Sequence, residues 1–202
     1  MNYPNGIKKI IINKDINYKN RGMTLEEELN ITNKYYIENN IAYIYKKPTP
    51  IKVVKAVNEN GIRVIKEAYY SEPSTTDYNG IYKGCYIDYE AKETMNKTSF
   101  PLQNIHKHQI KHIRNIYKEN GICFLIVRFT ILNQTYLLTA KDFIEFIDNE
   151  SRKSIPIDYI KKYGYLIKDK YIKRVDYLEI VDEIWRLLWK KLNPKEKKER
   201  QN

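Results

Sequence analysis

Cysteine and glycine are scarce. The 202 residues hold two of the former and seven of the latter, and no apolar run approaches the roughly 18 residues of a membrane-spanning helix. Cys85 and Cys123 stand without a C-x-x-C spacing, and two such thiols fit a reducing cytoplasm. The glycines are scattered and form no phosphate-cradling loop, which argues against P-loop and Rossmann nucleotide sites. The opening stretch, MNYPNGIKKIIINKDINYKN, has neither a proper apolar h-region nor a small-residue cleavage site, so it does not read as a signal peptide. These absences point to a cytoplasmic chain that does not span a membrane.

Positive charge is abundant. The formal net charge is +11, the isoelectric point is near 9.4, and 42% of residues are hydrophobic. That composition is globular and long enough for one domain with a real core. The charge surplus favours a polyanionic partner, nucleic acid or an anionic membrane surface. A bias towards Lys, Ile, Asn and Tyr inflates the lysine count but does not explain the surplus over Asp and Glu.

Residues 1–20 are polar, basic and aperiodic, and read as a mobile arm. Residues 21–192 read as one domain, and 193–202 (KEKKER within it) as a disordered tail. TLEE at Thr24 is a capping box, and Leu25, Leu29 and Tyr36 share one stripe, which predicts a helix from 24 to about 39. IAYIYK reads as a strand. IKVVKAV and IRVIKEAYY, joined by NENG, predict a hairpin. Its runs carry Lys52, Lys55, Arg63 and Lys66, more cations than a compact core tolerates but suited to a projection among phosphates. SEPSTTDYNGIYKG reads as turn-rich, and CYIDYEAK as a strand. A helix from about 104 to 119 closes at Gly121, ICFLIVRFT is a strand buried on both faces, QTYLLT is another strand, KDFIEFIDN a short helix and YLEIVDEIWRLLWKKL a final amphipathic helix. This order predicts an α/β domain with a central mixed sheet.

The chemistry sits in YIDYEAK. Strand alternation puts Ile87, Tyr89 and Ala91 on one face and Asp88, Glu90 and Lys92 on the other. Thirteen residues before Glu90 lies Asp77, in a Thr- and Gly-rich loop. A loop carboxylate and a strand carboxylate can hold a hard divalent cation, and a lysine beside them can offset charge that develops at a phosphate. The tripeptide Glu-x-Lys alone is weak, because any exposed strand face carries such pairs. Gln109 falls on the apolar stripe of Ile105, Ile113 and Ile116 and must find a partner. A backbone carbonyl is the ordinary one; a cation or its water would serve as well. His108 and His112 are four apart, but HQIKH lacks the Glu of a zinc HExxH helix, and no third ligand is evident.

The stretches NRGMTLEEELNITNKYY, KKPTPIKVVK, STTDYNGIYKGCYIDYEAKET, KTSFPLQNIHKHQIKHI and GICFLIVRF together resemble the RecU family of bacterial Holliday junction resolvases, from about Asn20 to Leu138. The resemblance implies a restriction-endonuclease-like, PD-(D/E)xK nuclease core, a homodimer, and Mg²⁺ with Mn²⁺ as a substitute. It implies paired symmetric nicks in four-way junction DNA during recombination and repair, and contact with the RecA recombinase. By motif match, Thr75, Asp77, Glu90 and Gln109 occupy the metal positions and Lys92 that of the transition-state stabiliser. Glu26 matches a first-helix carboxylate, with Glu27 and Glu28 beside it. The hairpin, from about 47 to 70, corresponds to the family's stalk, and Arg21 in the arm to a DNA contact. Tyr69 and Tyr70 at the stalk's base either wedge exposed bases or pack in the core. The competing reading is a non-cleaving junction-binding module that modulates a recombinase. A third, a restriction-type enzyme on the same fold, gives no account of the hairpin.

Overall fold

The computed structural model describes residues 23–71 and 75–183. The arm with Arg21, the tail and the part of the expected final helix beyond residue 183 lie outside the described residues. In chain order the elements are α1 (Leu25–Glu38), β1 (Tyr43–Lys46), β2 (Ile51–Glu59), β3 (Ile62–Tyr70), β4 (Tyr78–Tyr82), β5 (Cys85–Thr94), β6 (Ser99–Pro101), α2 (Lys107–Lys118), β7 (Ile122–Phe129), β8 (Gln134–Thr139), α3 (Ala140–Asn149), β9 (Ser154–Pro156), α4 (Ile157–Tyr163) and β10 (Tyr165–Ile167). A last helix begins at Leu178. Among the described residues no helix is long and apolar enough to cross a membrane.

Six strands form one mixed sheet in the order β1-β4-β5-β7-β8-β10. Only β5 and β7 run parallel, joined by the crossover through α2. The sheet is covered on both faces. On one, Leu25, Leu29 and Tyr36 of α1 pack with Ile87, Tyr89, Phe124 and Tyr177. On the other, Ile113 of α2 and Phe143 of α3 pack with Leu125, Val127 and Leu138. All eight residues of β7 are buried, as a continuous apolar run requires. Tyr78, Tyr89 and Phe124 stack across three neighbouring strands, with ring centroids 4.7 and 5.0 Å apart. This α/β architecture is the one expected.

Several local readings change. DYNGIYKG is not all turn, because Tyr78–Tyr82 is strand β4. Its Gly80 serves close approach: a Cβ there would meet the Tyr43 carbonyl oxygen at 2.0 Å. The turn itself is Lys83-Gly84, both at positive φ. The 104–119 helix starts only at Lys107, after a 3₁₀ turn over Leu102–Asn104. Its left-handed C-terminal residue is Asn120 (φ 61°) rather than Gly121, whose N–H returns to the Ile116 carbonyl. The short β6–β9 pair, α4 and β10 carried no strong periodicity and went unread.

The hairpin is as expected: β2 and β3 form a two-stranded sheet of their own around Asn60-Gly61, with a bulge near Val53–Ala56. Neither of the two apolar clusters contains a β2 or β3 residue.

Candidate active site

The β4–β5 register pairs Tyr78 with Tyr89, so one step further sets Asp77 opposite Glu90. The Asp77 backbone N–H donates to Glu90 Oε2 at 3.1 Å. Lys92 Nζ makes a close ion pair with Glu90 Oε1 and lies 3.9 Å from Asp77 Oδ2. The three groups therefore converge. They also form a gradient: the Glu90 side chain is fully buried, while those of Lys92 and Asp77 are 26% and 38% exposed. The face of β5 that carries Asp88 and Glu90 is thus no solvated strand surface; both are buried where α2 crosses the sheet.

Electrostatics at this point are unfavourable to a bare carboxylate. Burial, then the charge of Asp77, raise Glu90 from 4.5 to about 8, against the opposing pull of Lys92. The Tyr78 phenol is also pushed well up, by burial and then by the carboxylates of Glu26, Asp77 and Glu90. Two of these acids, Glu26 and Asp77, line a cleft of about 390 Å³ together with Lys92 and Glu93.

The N-terminus of α1 forms the cleft's far wall. Thr24 and Glu27 complete the capping box, and the Leu25 N–H donates to Glu93 Oε1 at 3.1 Å. Glu28 is taken up by the buried Arg128 of β7. Of the three first-turn acids, Glu26 is the one that lines the cleft, where it pairs with Lys46 at 2.5 Å.

Thr75 and Gln109 make no hydrogen bond to the Asp77–Glu90–Lys92 group. Thr75 Oγ1 donates weakly to the Thr76 carbonyl at 3.4 Å, and buried Gln109 accepts from the His106 N–H at 2.9 Å as the helix-cap partner. The second lone pair of the Gln109 oxygen is left. The residues present fit a hard cation. Their donors are all oxygen, and buried Glu90 Oε1 has a charge partner but no hydrogen bond. Among the described residues no group of three or more His, Cys, Asp and Glu side chains gathers around one point, so the arrangement is not a zinc-type cage. His108 stacks on His106, and His112 turns to Asp88 at 3.2 Å.

On the hairpin, Lys52, Lys55, Arg63 and Lys66 are exposed. Lys66 pairs with Glu59 at 2.6 Å, and Lys52 lies over the Tyr69 ring at 5.9 Å. Tyr69 and Tyr70 are 52% and 79% exposed, which removes core packing as their role. Sequence reasoning missed Lys47 and Thr76. Both meet Asp88, but neither contact is local, so spacing along the chain gave no sign of them.

A protein-family profile described as Recombination protein U, RecU, matches residues 20–183. A protein named Holliday junction resolvase RecU from Oceanobacillus iheyensis is 50% identical over 195 residues, covering 92% of this chain and all of that one. Proteins of the same name from a Geobacillus species and from Bacillus cereus are 53% and 52% identical, over 84% and 83% of this chain and 86% of each of theirs. The solved structure of Archaeoglobus fulgidus Hjc, titled a Holliday junction resolvase, superposes with a TM-score of 0.39 at 8% identity over 68% of this chain and 93% of its own. From the profile match and the identity along nearly the whole chain, this protein belongs to the RecU family.

Proposed function

We propose that this chain is a structure-selective, metal-dependent endonuclease that resolves Holliday junctions by paired symmetric nicks in recombination and repair. The observation that carries the reading is the convergence of Asp77, Glu90 and Lys92 at a cleft beside a basic hairpin. A module that only binds DNA has no use for it, since carboxylates repel phosphate unless a cation intervenes. The names of the relatives support the same activity.

Asp77 and Glu90 would hold the cation, with Thr75 and Gln109 completing the oxygen set. Mg²⁺ is the natural ion for such donors and Mn²⁺ a substitute. When bound, the cation supplies Lewis acidity at the phosphate and a more acidic water. Lys92 places its ammonium beside the scissile phosphate and balances the negative charge that builds there as the 3′ oxygen leaves. Glu90 is buried and so fixes the depth of the site. Asp77, more open, faces the incoming backbone.

The exposed hairpin cations would seat in the junction centre, where four phosphate backbones crowd, with Tyr69 and Tyr70 against exposed bases. Arg21 and the arm would add duplex contacts. Two equal cuts on a near two-fold substrate call for two equal sites, hence a homodimer. The setting is the cytoplasm, with RecA as a protein partner. The division into arm (1–20), nuclease domain (21–192) with its stalk, and tail (193–202) belongs to the same proposal.

The direct test is nicking of a synthetic four-way junction with and without Mg²⁺, by the wild type and Lys92→Ala. The variant is expected to bind the junction and fail to cut it; parallel loss of binding and cutting, or unchanged cutting, refutes the assignment.

A further inference from the structure

A second charged cluster lies beside the site, centred on Asp88, two residues before Glu90 and completely buried. Its Oδ2 accepts from Lys47 Nζ at 2.9 Å and from the Tyr86 hydroxyl at 2.7 Å, and lies 3.2 Å from His112 Nε2. Its Oδ1 accepts from Thr76 Oγ1, which in turn accepts from Lys47 Nζ at 3.0 Å.

The partners' positions give this cluster its meaning. Lys47 directly follows β1, on the leg by which the chain leaves the core for the hairpin; Thr76 lies on the returning leg. The legs are joined once more by the Ser71 N–H on the Pro50 carbonyl at 3.0 Å. Asp77 sits between these anchors: its neighbour Thr76 is held on Asp88, and its own carbonyl accepts from the Lys47 N–H at 2.8 Å. A buried carboxylate is expensive and is seldom the most stabilising way to fill such a place, so its use points to specificity of arrangement.

We infer that Asp88 is a positioning residue: with Lys47 and Thr76 it clamps both legs of the hairpin onto the catalytic strand, so that the hairpin root and Asp77 move as one body. The inference rests on the proposed site at Asp77, Glu90 and Lys92. Its consequence is that the DNA-facing hairpin and a cation-holding carboxylate share a single rigid anchor, and seating of the first constrains the second.

Thr76→Val keeps the shape and removes the clamp's hydroxyl, while Thr76→Ser keeps the hydroxyl. In full-length Thr76→Val, hydrogen exchange is expected to quicken in peptides spanning 47–50 and 75–77, with α2 and β7 unchanged. Mn²⁺ affinity, read from the free-ion EPR signal without DNA, is expected to weaken about tenfold or more. Nicking at saturating junction should fall about tenfold or more while junction Kd in EDTA stays within about twofold. Thr76→Ser should restore all three. If Thr76→Val loses its fold, Lys47→Met carries the same readouts. Wild-type Mn²⁺ affinity and nicking in the folded variant, or an impairment that Ser does not rescue, overturns the clamp. Lys92→Ala run alongside separates the failures: if that variant still cuts, the active-site reading falls, whereas an inert Lys92→Ala beside a normal Thr76→Val discards the clamp alone.

Discussion

The Asp77 N–H and Glu90 Oε2 are 3.1 Å apart, so a main-chain donor sets the spacing of the two carboxylates. The bond survives any change to the Asp77 side chain. Asp77→Asn therefore keeps the local fold while removing one charge from the cation's oxygen set. Thermal midpoints of the two proteins should agree closely. Mg²⁺-dependent nicking of a four-way junction should fall by about 100-fold or more. Vigorous cutting by the Asn variant would exclude Asp77 as a cation ligand.

Glu90 makes metal-free stability depend on pH. Burial, with Asp77 adding to it, raises its carboxyl from 4.5 to about 8, so between those values the folded state binds more protons than the unfolded one. The Glu90 contribution to stability is thus fully present below pH 4.5 and is lost as pH rises to about 8. A divalent cation compensates the ionised form, so its stabilising effect should grow over the same window. Denaturant titrations of wild type and Glu90→Gln in EDTA at pH 6 and pH 8 test this. The wild type should lose stability relative to the Gln variant at the higher pH, and a constant difference would contradict the burial argument.

Much of this was legible because its signals are local. The Thr24 box, the alternation in Tyr86–Lys92, the apolar run Ile122–Val127 of β7 and the Asn60-Gly61 turn each declare themselves within a few residues. The sequence reading also placed Asp88, Glu90 and Lys92 on one face. It did not reveal that this face is buried, because burial comes from α2, which crosses it from farther along the chain. β4 was hidden by Gly80, a residue that reads as a turn but is required where Tyr43 approaches. Glu26 could not be told from Glu27 and Glu28 by spacing. Their partners separate them: Thr24 for Glu27, Arg128 for Glu28 and Lys46 for Glu26. The roles of Lys47 and Thr76 depend on contacts 41 and 12 residues away, which no pattern records.

The hairpin is separable from the core. No residue of β2 or β3 belongs to either apolar cluster, so replacing residues 51–68 by a short Gly-Ser linker should leave the thermal midpoint nearly unchanged. Junction affinity should fall far more than affinity for linear duplex, because the projecting cations and Tyr70 are what a duplex has no centre to receive. Gel-shift measurements on both substrates decide the matter: equal weakening would mean that the hairpin is a general DNA contact and not a junction probe.

Salt dependence follows from the net charge of +11. Phosphate contacts release counterions, so the logarithm of the junction association constant should fall linearly with the logarithm of salt concentration, at about 0.9 per phosphate neutralised. Lys52, Lys55 and Arg63 are exposed and form no ion pair among the described residues. Changing each to Ala should lower the slope by about one. Lys66 is already paired with Glu59, and its replacement should lower the slope by less. An unaltered slope in the triple variant would place the phosphate contacts elsewhere on the protein.

Gly80 tests whether the edge strand supports the site. A Cβ there would lie 2.0 Å from the Tyr43 carbonyl oxygen and 2.6 Å from Ile44 Cα, both backbone atoms that yield only if β1 moves off β4. Gly80→Ala should cost about 1–3 kcal/mol, seen as a lower thermal midpoint. The loss would extend beyond stability. β1 carries Lys46, the partner of Glu26, and leads directly into Lys47, whose N–H holds the Asp77 carbonyl. Nicking measured well below the melting transition should therefore drop as well. Full activity at that temperature, despite the lower midpoint, would show that the placement of Asp77 does not depend on β1.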